Sequence, residues 1–180
     1  SMDLGLHTPG ASLVGLKSYQ VEMEFWFASN QVNVARLDKL VSSNIFGGSE
    51  RPSYKTTQLN GMFKGFIDLI FEHDGRYYVA DYKSNALGKN AAAYDLDAMR
   101  DCMLKNRYDM QLCLYLLALH RQLKRRLPGY EYDKHIGGGL YIFMRGFKAD
   151  SRGLLLERPP CELIEQMDSL FTRQNQEVSA

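Results

Sequence analysis

Three cysteines in 180 residues, Cys102, Cys113 and Cys161, are too few and too odd in number for a disulfide scaffold. None of them forms a CxxC pair, so a zinc knuckle is excluded as well. That usage suits a reducing, cytoplasmic interior. No run of about 18 apolar residues exists and no signal peptide opens the chain, so neither a membrane span nor export is expected. There is no internal repeat, no low-complexity tract and no G-x4-G-K-[ST] loop, so ATP hydrolysis is not expected of these residues. Net charge is only +1, which leaves any anionic partner to a local patch instead of the overall field.

What is present is an ordinary globular composition, 45% hydrophobic and 24% charged, in a length that suits one core. Ser1 ahead of Met2 reads as a tag scar, and residues 1–18 as an arm or linker without periodicity. Residues 19–180 are expected to be the folded domain, cut from a longer chain. From Tyr19, Val21, Met23, Phe25 and Phe27 alternate with Glu22, Glu24 and Trp26, which predicts a strand with one wet face. Asn33 is placed to cap a short helix carrying Val34, Leu37, Leu40 and Val41. Two helical stretches, from Tyr94 to Lys105 and from Arg107 to about Leu127, are followed by the apolar strand 138–147. A last amphipathic helix follows Pro159-Pro160. The order predicts a mixed α/β sheet covered by helices.

The chemistry concentrates in GFIDLIFEHDGRYYVADYKS, residues 65–84. Asp74-Gly75 is a strong hairpin dipeptide between arms at about 61–72 and 76–83. A turn centred there pairs residues whose numbers sum to 149, which sets Asp68 opposite Asp81 on one side of the sheet. Lys83, two residues further, points to the same side. Facing carboxylates repel unless a cation lies between them, and a hard divalent ion such as Mg²⁺ takes one or two carboxylates. The plainer alternative is a pair of edge acids neutralised by Lys83. The flanking Phe66, Ile67, Leu69, Ile70, Val79 and Ala80 argue instead for a central hairpin. Acid, acid and lysine together suit phosphodiester hydrolysis, with Lys83 holding or deprotonating water or offsetting transition-state charge.

D-x12-D-x-K, written Asp68…Asp81-Tyr82-Lys83, resembles the PD-(D/E)xK nuclease signature. Gln111 and Tyr115 supply a Q-x3-Y on one helix face, which resembles the RecB-like branch of that superfamily. The likeness extends through EMEFWF, GMFKGFIDLIFEHDGRYYVADYKSNALG, NRYDMQLCLYLLALHRQLKRRL and GGGLYIFMRG. It implies a restriction-endonuclease-like fold with a mixed central β-sheet flanked by helices. It further implies Mg²⁺ held by Asp68, Asp81 and the backbone carbonyl of Tyr82, with Lys83 as the catalytic lysine. Gln111 and Tyr115 would position lysine, water or phosphate. In such nucleases the domain serves an exodeoxyribonuclease V-type helicase–nuclease in break repair, recombination and degradation of foreign DNA. Its partners there are DNA, single-stranded near the site, RecC- and RecD-like subunits and the RecA recombinase, with ATP used only in helicase parts absent here. The family also carries a metal-binding His on a helix before the first strand. His7 is not assigned that role, so weak metal binding by this piece is expected. The alternative is a catalytically impaired fragment that docks RecA or DNA.

Overall fold

The structure is a computed structural model that describes residues 18–55 and 58–173, the side chains of Asn30 and Arg173 excepted. His7 and nearly all of the 1–18 arm lie outside the described residues. Among the described residues five strands hydrogen-bond in the order β1-β2-β3-β4-β5: Tyr19–Asn33, Gln58–His73, Arg76–Lys83, Ile136–Phe143 and Leu154–Glu157. β2 and β3 are antiparallel, β3 and β4 parallel, β4 and β5 antiparallel, so the sheet is mixed. The helices are α1 (Val34–Asn44), α2 (Leu96–Lys105), α3 (Tyr108–Arg126), α4 (Tyr132–His135) and α5 (Cys161–Arg173). This is the α/β arrangement that the strand and helix pattern predicted.

Local chemistry accounts for most boundaries. Asn33 caps α1 as expected, its side-chain oxygen accepting from the Arg36 amide at 2.8 Å. Met23, Phe25 and Phe27 are buried in β1 while Glu22, Glu24 and Trp26 are exposed. Val21 departs from the alternation: the chain takes positive φ at Glu22, and Val21 is 60% exposed. β2 starts three residues before the expected arm. The expected strand 138–147 instead runs over β4, because Met144–Gly146 winds into a 3-10 turn. β5 is an addition to the expected order, made from the short run Leu154–Leu156.

The described chain forms two compact units. One holds residues 18–23, 67–102 and 133–158. The other holds 24–66, 103–132 and 159–173. The core of the first is Leu69, Phe71, Tyr78, Ala80, Leu140, Ile142 and Leu154, from four neighbouring strands. Phe71 and Tyr78 are a cross-strand pair with rings stacked 5.0 Å apart. Between Tyr77↔Ile136 and Tyr78↔Gly138 the ladder bulges, leaving Gly137 over. The Tyr78 ring lies where a Cβ of residue 137 would be, 2.1 Å away, so only glycine fits there. In the second unit α1, α3 and α5 pack together. Phe27 meets Phe171 at 5.2 Å, and the Arg121 guanidinium sits 4.9 Å from the Phe27 ring while pairing with Asp168.

Candidate active site

The hairpin of β2 and β3 turns at Asp74 (φ 50°) and Gly75 (φ 74°), both left-handed, the geometry whose twist matches its flanking strands. Glu72 steadies it by accepting from the Gly75 amide at 2.7 Å. The observed pairs His73↔Arg76 to Leu69↔Ala80 all sum to 149, as the turn predicted. The paired ladder ends at Leu69↔Ala80, and the same count carried one residue further would bring Asp68 opposite Asp81. There the side chain of Asp68 takes over as acceptor, with Oδ2 3.0 Å from the Tyr82 amide nitrogen. That hydrogen bond aims the first carboxylate along β3, at the residue between Asp81 and Lys83.

Asp81 and Lys83 share the other face of β3 from Tyr78 and Ala80. They are 6% and 7% exposed, and Lys83 Nζ lies 2.5 Å from Asp81 Oδ2. The same ammonium is 5.3 Å from the ring centre of Tyr141, which is paired with Asp81 across the parallel ladder. Burial of either charge alone would be costly, and each acts as the other's counter-ion. The plainer alternative holds in its second half, Lys83 neutralising Asp81, and departs in its first: β3 is an interior strand, with β2 and β4 on its two sides.

Opposed carboxylates fit a hard divalent ion in donor type and number, since Mg²⁺ commonly takes one or two and keeps waters. Among the described residues no group of three or more His, Cys, Asp or Glu side chains forms a metal cluster. Main-chain oxygen and water would have to complete any shell built on Asp68 and Asp81.

Gln111 and Tyr115 lie in the second unit, on α3. Gln111 Nε2 donates to Tyr115 Oη at 2.8 Å, so the i, i+4 spacing produces a bonded pair. Tyr115 is buried and meets Phe25 edge-on at 5.7 Å. Both line a cavity of about 410 Å³ with Phe25, Tyr54, Phe63 and Arg107. The start of α3 is anchored by residues that sequence reasoning passed over. Asp109, fully buried, pairs with Arg51 at 2.6 Å and with Arg107 Nε at 3.1 Å. Arg107 also pairs with Asp38 and donates to the Pro52 carbonyl, and Arg51 donates to the carbonyls of Ile45 and Phe46. The signal available was a lone acid on an otherwise apolar helix stripe, which a buried site tolerates only with a cation beside it.

Burial raises the Cys113 thiol far above the ordinary cysteine range, which removes it as a nucleophile. No helix among the described residues is long and apolar enough to cross a membrane.

Residues 16–178 match the PD-(D/E)XK nuclease superfamily. The chain is similar to the RecBCD enzyme subunit RecB of Escherichia coli (strain K12), 43% identical over 171 residues, covering 92% of this chain and 14% of that protein. The same subunit of Haemophilus influenzae is 37% identical over 174 residues, with 92% and 14% covered. That of Mycobacterium tuberculosis (strain ATCC 25618 / H37Rv) is 31% identical over 163 residues, with 81% and 15% covered. The chain thus spans a small part, 14–15%, of the length of these relatives.

Proposed function

The chain belongs to the PD-(D/E)XK nuclease superfamily, and from that we propose that it is the Mg²⁺-dependent DNA-cleaving domain of a RecBCD-type helicase–nuclease. Nucleases of this superfamily generally use divalent metal ions. Asp68, Asp81 and the Tyr82 backbone carbonyl are proposed to hold the ion, Lys83 to be the catalytic lysine, and Gln111 and Tyr115 to position lysine, water or phosphate. When bound, the ion supplies Lewis-acid polarisation of a phosphate oxygen and a more acidic water. In the larger parent the domain would act on single strands delivered by ATP-driven unwinding, beside RecC- and RecD-like subunits, with RecA as a further partner.

The observation that carries this reading is the buried Lys83–Asp81 pair, with the Asp68 carboxylate bonded to the amide of Tyr82 between them. Asp81 restrains the Lys83 side chain and keeps its Nζ at one place on the sheet. Tyr82 restrains Asp68 in the same way, through its amide. A lysine held so tightly serves either to hold the attacking water, taking its proton only after Nζ has given up its own, or to offset charge on the phosphate as the ammonium. Arginine at 83 satisfies neither role well, being larger and unable to release its proton.

The test is cleavage of single-stranded DNA by the 180-residue chain with Mg²⁺. Asp81→Ala should abolish it. Lys83→Ala should lower it by about 10²-fold or more, the span of a lost acid–base group, and Lys83→Arg should not restore it. Activity of Asp81→Ala equal to the parent would leave the docking-module alternative standing and remove the metal-site mechanism.

A further inference from the structure

One part of the first unit displays side chains against the trend of the fold. After β4, which is buried along its whole length, the chain exposes Met144 (50%) and Phe147 (59%) together with Arg145 and Lys148. Gly146 between them is buried, its missing side chain replaced by the ring edge of Tyr94 and the backbone of Gly153. The turn is tightly bonded. The Ala149 amide donates to Gly146 at 2.9 Å and the Phe143 amide to Gly153 at 2.8 Å. Ser151 Oγ donates to the Tyr94 carbonyl at 2.6 Å and accepts from the Gly153 amide at 3.1 Å. A backbone this constrained fixes the points from which its side chains leave the turn.

Two features point to what they meet. Lys148 Nζ stands 5.6 Å from the Phe147 ring, so cation and aromatic surface are offered together. Arg145 Nε donates to the Ser84 carbonyl at 3.0 Å, which ties the turn to the residue that follows Lys83. We propose that residues 144–148 form a binding surface for single-stranded DNA continuous with the cleavage hairpin, Phe147 stacking on a base and Arg145 and Lys148 binding phosphates. The proposal rests on the nuclease reading above. Interleaved aromatic and basic groups are the combination that tracks an unpaired strand, because every base has a face to stack and every link a charge. With a net charge of +1 the whole chain attracts DNA weakly, so a local cationic turn has to supply the hold. Asp150 and Arg152, both exposed further along, offset one another and leave the net positive charge on residues 144–148.

The experiment is anisotropy titration of a fluorescein-labelled oligothymidylate with the 180-residue chain in EDTA, where cleavage does not intervene, at several salt concentrations. Phe147→Ala should weaken binding by about tenfold, within the range of one unstacked base, and Phe147→Trp should restore it. The double variant Arg145→Ala, Lys148→Ala should lower the salt slope by about 1.4, at roughly 0.7 for each phosphate left unneutralised on a single strand. Thermal midpoints matching the parent verify that these surface changes leave the fold intact. Affinity and salt slope indistinguishable from the parent in both variants would overturn the proposal and mark the turn as a surface for protein, while Mg²⁺-dependent cleavage would still uphold the nuclease reading. The expected weakening of binding in a chain that cleaves nothing would keep this surface and favour the impaired-fragment alternative over cleavage by this chain.

Discussion

Lys83 shows how one side chain can be constrained from two directions, by the Asp81 carboxylate in its own strand and by the Tyr141 ring in the next. His120 is held in a comparable way on α3. Its Nδ1 lies 2.9 Å from the Tyr130 hydroxyl, and among the described residues Nε2 has no hydrogen-bond partner. Burial lowers its pKa below the ordinary imidazole range, and Lys124 adds to the effect. The folded chain therefore binds this proton less readily than the unfolded chain, where histidine titrates near about 6.5. The stability that neutral His120 contributes is complete above that value and is lost as pH falls through the lower folded value. Thermal melts taken from neutral pH down to about pH 5 should show a falling midpoint, and His120→Gln should flatten that dependence.

At the scale of elements, the legible parts were those fixed by a few local residues. Asp74-Gly75 determined the turn, and the turn determined the register as far as Leu69↔Ala80, one residue short of Asp68 and Asp81. Asn33 announced α1 by the same kind of short-range chemistry. β5 was not legible: its apolar run is only Leu154–Leu156, and pairing with β4 supplies what its own sequence lacks. The anchoring of α3 was equally hidden, since Arg51 and Asp109 are 58 positions apart and no periodicity links them. That anchor should be costly to break. Asp109→Asn leaves Arg51 and Arg107 side chains, 6% and 9% exposed, beside a neutral amide. A loss of about 3–5 kcal/mol is expected for a broken buried pair. Calorimetry should then show a midpoint lowered by more than about 6 °C in a chain of this size.

For the whole molecule, the metal assignment makes a claim that does not depend on turnover. An ion that binds the folded chain and not the unfolded one raises the melting midpoint, by an amount set by its concentration over its dissociation constant. Mg²⁺ should therefore raise the parent's midpoint, EDTA should reverse the rise, and Asp68→Asn together with Asp81→Asn should remove it. Calorimetry on both proteins, with and without the salt, verifies this. The resting arrangement around Asp81 adds a consequence of its own. Because Lys83 neutralises that carboxylate, Asp81 is not left as a bare buried charge in the fold. On the proposed metal reading, an ion at Asp81 would compete with this ammonium for one carboxylate, so Lys83→Ala should lower the Mg²⁺ concentration that half-raises the midpoint.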